Sequence, residues 1–320
     1  MIPEQTRHHP RSSAIRRMPQ GRTFRGAPEL SAISVSVVTY ETSVDELRTL
    51  LGSLAKSRRR VDVVVVDNSP TEALRPIVED AGVRYLPAGQ NLGFGCGHNL
   101  AMRQMLESST YHLVCNPDIH CGPEVLGALE AFMDASPEVG LVMPRIVYPD
   151  GQEQRLCKRL PTPVDLLVRR FLGKLGEYFL RRSSDQYELK HLDFRVTREV
   201  PSLSGCFMFL RTSVLRQTGL FDPRFFMYME DVDLCRRVGA VSSTVFYPAV
   251  SVTHNYAKGS YKNRKLLKYH VASAVRYFSK WGWFADPERR TLNSRTEVLR
   301  QQPSPRESAP VSAATYAGTR

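Results

Sequence analysis

No stretch of the 320 residues approaches the roughly 20 uncharged apolar residues that a membrane-crossing helix needs, so no spanning segment is expected. The opening MIPEQTRHHPRSSAIRRMPQGRTFRG lacks the apolar centre of a secretory signal, and the chain is expected to stay in the cytoplasm. Its Arg, Pro and Ser content reads as a disordered basic leader over 1–30, a transit peptide being the other reading. The six cysteines contain no C-x-x-C pair, and Cys115 and Cys206 sit inside apolar runs, which points to reduced, partly buried thiols rather than a zinc site. There is no Walker loop, no G-x-S-x-G elbow and no helix-turn-helix, zinc-finger or RNA-recognition signature. Nucleic acid is therefore not an expected partner.

Against these absences stand an apolar content of 42%, ample for a buried core, and a net charge of +12. A surplus of that size suits a phosphorylated substrate or an anionic membrane. Its placement is uneven: between Tyr256 and Gly282 there are seven Lys or Arg and no acid. Read as a helix, Lys262 to Trp281 puts Leu267, Val271, Ala274, Phe278 and Trp281 on one face and Lys262, Lys265, Arg276 and Lys280 opposite. Two readings stand: a membrane-surface element, or a helix packed on the core with a solvated basic back.

From Ile33 the pattern becomes regular. ISVSVVTY reads as a strand, SVDELRTLLGSLAKS as an amphipathic helix capped by Ser43, and VDVVVVDNS as a buried strand with a polar end. Helix TEALRPIVEDAG, strand VRYLPAG, the loop NLGFGCGHN opening a helix, and strand YHLVCNPD follow. This alternation predicts an α/β fold with a mostly parallel central sheet flanked by helices, whose ligand site lies beyond the carboxyl ends of the strands. A helix from Pro123, strand GLVMPRIVY, strand-to-helix EVPSLSGCFMFLRTSVL, helix EDVDLCRRVG and the strand region STVFYPAVSVTHN complete the order. The Arg-rich 155–198 stretch reads as an insertion over the site, and 291–320 as a disordered tail.

Polar clusters mark three strand ends: Thr39-Tyr40-Glu41, Asp67-Asn68-Ser69 and Asn116-Pro117-Asp118. The glycines of NLGFGCGHN let backbone approach a ligand closely, although the spacing is not that of a dinucleotide fingerprint. Asp118 is either a turn former or a carboxylate for a divalent metal between phosphates. His254, at a strand end, is either a surface histidine or an imidazole ligand to that metal. Asp67 can accept from an N–H of a uracil or thymine ring. In FFMYMEDVDLCRRVG, the acids Glu230, Asp231 and Asp233 suit a solvated helix start or a catalytic base at a pocket rim.

Taken together, VSVVTYET, VVVDNSP, NLGFGCGHN, LVCNPD, LSGCFMFLR, GLFDPRFFMYMEDVDLCRR and VTHNYAKGS resemble, in order and spacing, the inverting family 2 glycosyltransferases. The similarity runs from about Ile33 to Lys280 and is greatest to the rhamnosyltransferase-like branch that builds bacterial surface polysaccharides. It implies a GT-A catalytic domain over 31–255, followed by a basic amphipathic helical extension over 256–290. It also implies a nucleoside diphosphate sugar donor, plausible as dTDP-rhamnose, with a divalent metal, Mg²⁺ or Mn²⁺. The acceptor would be a lipid-linked or growing glycan at the inner face of the cell membrane.

By position, the resemblance gives Thr39, Tyr40, Glu41 and Asp67 to the base and ribose. It lays the Asn91–Asn99 loop, with Asn91, Gly93 and Asn99, against the donor, beside Asn116. Asp118 and His254 become metal ligands, N-P-D standing for D-x-D. Asp231 becomes the general base, Glu230 its helper, and Ser204, Gly205 and Cys206 the acceptor side; Asp233 is left as an ordinary helix-start residue. Glu41 departs from the Asn that commonly follows Thr-Tyr. A non-catalytic nucleotide- or glycan-binding protein on the same fold is the alternative, and the retained Asp118, Asp231 and His254 argue against it.

Overall fold

The computed structural model describes residues 32–166, 185–255, 264–296 and 298–299. The chain divides into two units, Met1–Leu30 and Ser31–Arg320. The expected leader, the centre of the Arg-rich stretch, Lys262 and the last 21 residues lie outside the described residues.

Nine strands form one mixed sheet in the order β3-β2-β1-β4-β8-β6-β9-β5, with β7 also on β9. They are β1 (Ile33–Thr39), β2 (Val61–Asp67), β3 (Arg84–Pro87), β4 (Tyr111–Cys115), β5 (Ile119–Cys121), β6 (Val139–Val147), β7 (Arg198–Glu199), β8 (Phe207–Arg211) and β9 (Ser243–His254). The first four run parallel, as the alternation of strand and helix requires. β8 is inserted antiparallel between β4 and β6, and β9 returns parallel to β6. The helices described in full are α1 (Val44–Ala55), α2 (Arg75–Asp80), α3 (Phe94–Met105), α4 (Val125–Ala135), α5 (Thr212–Thr218), α6 (Glu230–Val241), α7 (Arg264–Trp281) and α8 (Pro287–Ser294).

Burial on both faces explains why β2 is a run of valines. Val63 to Val66 are all buried, each side chain contributing about 1.5–3 kcal/mol relative to exposure. Two serines in the equally buried β1 would oppose folding if left unbonded. Instead Ser34 meets His112 Nδ1 at 2.8 Å, and Ser36 meets His112 Nε2 at 2.8 Å and His98 Nδ1 at 2.7 Å. Both imidazoles are pushed below their ordinary pKa by burial, so they serve as neutral hydrogen-bonding groups.

Several expectations need correction. Ser43 precedes α1, but its hydroxyl makes no capping bond. Both described ends of the Arg-rich stretch are anchored: at the first, Lys158 exchanges two backbone bonds with Ser202 and Leu160 is held by both amide atoms of Asn293, and at the second, Arg198 pairs with Phe246 of β9. The stretch expected as a tail from 291 starts out ordered: α8 buries Leu292, and the Leu299 N–H reaches the Thr197 carbonyl. In α7 the apolar stripe is shifted. Tyr277 and Phe278 are buried, Val271 is 42% exposed, and Lys280 turns inward to carboxylates.

Candidate active site

The carboxyl ends of β1 and β2 lie in register, Thr39 beside Asp67. Asp67 is buried and accepts three hydrogen bonds: Thr39 Oγ1 at 3.0 Å, the Ser69 N–H at 2.9 Å and Tyr85 Oη at 2.7 Å. Thr39 is itself fully buried, so it sets the carboxylate's position. Tyr40 and Glu41 stand exposed beyond the strand, Glu41 at φ +50° with its N–H on Ser69 Oγ. Asn68, a member of the polar cluster at this strand end with no role expected of it, is buried and ties this edge to the glycine loop through Nδ2 to the Gly93 carbonyl at 3.0 Å.

In that loop, Asn91 Oδ1 accepts the Gly93 N–H at 2.9 Å. Gly93 has φ +80°, and a Cβ there would lie 2.0 Å from the Phe226 carbonyl oxygen, so both conformation and space demand glycine. The next N–H, of Phe94, donates to that same oxygen at 3.0 Å. Asn99 does not face a ligand. Only 1% exposed, it spends Nδ2 on the Phe221 carbonyl and Oδ1 on the Phe221 N–H, and it fixes the segment leading to the acids.

At the end of β4, Asn116 and Asp118 enter a turn that doubles back as β5, which pairs with the end of β9. That reversal brings Asp118 Oδ1 to 3.3 Å from His254 Nε2. The oxygen is buried and makes no hydrogen bond, so the pair is close but off-line. Asn116 Nδ2 lies 3.4 Å from the same nitrogen. Gln154 orients the ring from behind, Oε1 at 3.0 Å from Nδ1 and Nε2 on the His254 carbonyl at 2.8 Å. Burial alone would lower the histidine's pKa, but Asp118 and Cys206 beside it outweigh burial and raise it to about 10, so the ring carries a proton that must leave before Nε2 can bind a cation. Gln154 carried no local signal, being distant in sequence from its partner.

The acids open α6. Tyr228 and Met229 both take left-handed backbone at φ 67°, which non-glycine residues adopt only where their surroundings impose it. Glu230 follows at 5% exposure with Oε2 unbonded, and burial together with the neighbouring Asp231 raises its pKa well above the usual range. Asp231 is half-buried; Oδ2 accepts the Gly205 N–H at 3.0 Å and Oδ1 the Val232 N–H at 2.8 Å. Burial raises its pKa too, against the pull of those donors and of Lys158. Asp233 is not the solvated residue expected. It is 0% exposed and bonded to Lys280, Trp281 and Arg237.

Gly205 and Cys206 connect the two acidic regions. Gly205 holds Asp231, while the Cys206 carbonyl accepts the Asn116 N–H at 2.9 Å and its thiol lies beside His254. Ser204 hydrogen-bonds back to the Cys206 N–H at 3.4 Å. Among the described residues no three His, Cys, Asp or Glu side chains cluster tightly enough to enclose a metal. An oxygen and a nitrogen donor with one buried, unbonded carboxylate oxygen do fit a hard cation whose remaining positions are filled by phosphate and water.

Comparison with known proteins gives a consistent result. The glycosyl transferase family 2 model matches residues 34–219. The N-acetylglucosaminyl-diphospho-decaprenol L-rhamnosyltransferase of Mycobacterium tuberculosis is 30% identical over 280 residues, 81% of this chain and 89% of that protein. Rhamnosyltransferase WbbL of Escherichia coli is 25% identical over 248 residues, 74% and 89% of the two chains. The crystal structure of GalNAc-T7 with UDP, GalNAc and Mn²⁺ superposes with a TM-score of 0.57 at 14% identity, over 80% of this chain. That likeness identifies the GT-A fold, and this chain spans about half the length of that structure, 49%.

Proposed function

The chain belongs to glycosyl transferase family 2, and from that footing we propose that it is a metal-dependent, inverting rhamnosyltransferase. The donor is dTDP-rhamnose and the acceptor a glycan carried on a lipid diphosphate. The observation that carries this reading is the Gly205–Cys206 dipeptide: the Gly205 N–H holds the base candidate, and the Cys206 carbonyl takes the Asn116 N–H of the turn that carries Asp118. A diphosphate leaving group and an attacking hydroxyl need those two functions side by side. The rhamnosyltransferases matched above support the sugar and the lipid-borne acceptor.

In the reaction so assigned, the acceptor hydroxyl oxygen bonds to the anomeric carbon as the bond from that carbon to the nucleoside diphosphate breaks. Asp231 takes the hydroxyl proton. Burial raises its basicity, and the Gly205 and Val232 N–H groups fix both oxygens while leaving each a further lone pair for the hydroxyl proton. Glu230, neutral and buried beside it, orients the acceptor or the base without adding a second charge. Asp118 and His254 would hold Mg²⁺ or Mn²⁺, a cation that would offset the charge of the departing diphosphate. Asp67, braced by Thr39 and Tyr85, offers its remaining acceptor capacity to the base N–H. Tyr40, Glu41, Asn91 and Gly93 line the donor side.

No described helix is long and apolar enough to cross a membrane. The exposed face of α7 carries Arg264, Lys265, Lys268 and Arg276 with the half-exposed Val271 and Val275 among them, a composition suited to an anionic lipid surface. Peripheral attachment there would bring the site to its lipid-borne acceptor. A donor screen read by release of nucleoside diphosphate, with and without a polyprenyl-diphosphate-linked N-acetylglucosamine, tests the assignment. Release of dTDP that depends on the acceptor supports it, whereas a clear preference for another nucleotide sugar rejects the donor.

A further inference from the structure

Helix α7 grips the segment carrying the acids along its length, and both lie beyond the family match, which ends at residue 219. The Tyr269 ring packs on Phe226 at 4.5 Å, and His270 meets Tyr228 edge-on at 5.2 Å. Ser273 Oγ donates to the Met227 carbonyl at 2.8 Å. At the far end Lys280 Nζ donates to Asp222 at 2.8 Å and to Asp233 at 2.7 Å, and Trp281 Nε1 donates to Asp233 at 2.8 Å. Lys280 thus bridges the two ends of the segment. Between them lie Tyr228 and Met229, whose left-handed backbone persists only under external constraint. Asp231 and Asp233, two residues apart on one helical turn, point to different sides: one to Gly205, the other to α7.

We propose that Lys280 and Trp281 are positioning residues for sugar transfer: by clamping Asp222 and Asp233 they hold the strained 228–229 turn closed and fix where Asp231 presents its carboxylate. This rests on the reading of Asp231 as the base. Neither side chain touches the acceptor. A displacement of about 1 Å in a reacting group can cost on the order of a hundredfold in rate, so a clamp of this kind acts on kcat.

The test uses the full chain and compares K280M, K280R, W281F and D231N in steady-state transfer, with melting temperature measured on each. K280M is expected to lower kcat by about tenfold to a hundredfold and to leave the donor KM within about twofold. K280R, which restores the cation, is expected to recover most of kcat. W281F removes one N–H while keeping a ring, and is expected to lower kcat with little change in melting. Normal kcat in K280M or W281F, with or without a lowered melting temperature, overturns the proposal and leaves α7 a packing element. If K280M does not fold, W281F decides. D231N separates the two readings: an inactive D231N beside a normal W281F rejects only the clamp, whereas an active D231N rejects the base assignment on which it stands.

Discussion

The Gly205 N–H donates to Asp231 Oδ2 at 3.0 Å, so a backbone group that cannot titrate orients the carboxylate at the start of α6. Replacing that carboxylate by Asp231→Asn preserves shape and removes basicity. Steady-state assays should show a loss in kcat of about 10²–10⁴-fold, with donor affinity by calorimetry little changed. Near-normal turnover would exclude Asp231 as the base.

The same burial predicts the pH profile. Asp231 is raised, so the acidic limb of kcat/KM should lie above the ordinary aspartate value of 3.8. Lys158 opposes that rise, and Lys158→Met should move the limb to still higher pH. A limb that stays put in this variant would show that the cation does not act on the base.

Transfer should stop on chelation and return with Mn²⁺ or Mg²⁺. Asp118→Ala should raise the metal concentration for half-maximal recovery at least about tenfold, and Gln154→Ala, which frees the His254 ring, about 10–100-fold. Calorimetry of Mn²⁺ with a nucleoside diphosphate gives the same comparison without turnover. An Asp118→Ala protein with unaltered metal response would remove Asp118 from the site.

Glu230 makes a statement about stability. Its folded pKa lies well above the ordinary 4.5, so the folded state keeps a proton that the unfolded chain releases as pH rises. That contribution is complete below the ordinary value and is lost progressively from there up to the raised one. Glu230→Gln cannot ionise in either state. Its melting temperature should match the parent near about pH 4 and exceed it increasingly at higher pH. Parallel curves would show that Glu230 is not held neutral by the fold.

Anionic vesicles should float the protein at low salt. Each basic residue near such a surface contributes about 1 kcal/mol, so replacing Lys265, Lys268 and Arg276 together should weaken partitioning about a hundredfold. Recovery unchanged by that triple substitution would assign the contact to another surface.

Much of this was legible in the chain because it is periodic or local. β-branched runs alternating with amphipathic stretches gave the parallel half of the sheet, and polar residues at the ends of β1, β2 and β4 marked its working edge. The antiparallel insertion of β8 was not legible, since strand direction leaves no trace in composition. Nor was the three-residue β5, although its reversal brings Asp118 to His254. Asn99 looked like a loop ligand because polarity does not say which way a side chain turns, and here a backbone partner at Phe221 claimed it. Asp233 and Lys280 each looked solvated; only tertiary contact shows that they satisfy one another. For α7 the sequence period puts Val271 on the apolar stripe although it is exposed, because the period alone fixes a face only to within a residue or so.

The Phe94 N–H bonds the Phe226 carbonyl just where Gly93 leaves no room for a side chain. The glycine loop and the loop leading to the acids are therefore one unit of inheritance, although they are far apart in sequence. A chimera that takes residues 91–99 from a relative with a different donor, while keeping 221–229, joins two surfaces never selected together. Swapping donor preference within this architecture calls for moving both segments at once, and natural recombination with a breakpoint between them should leave few working descendants.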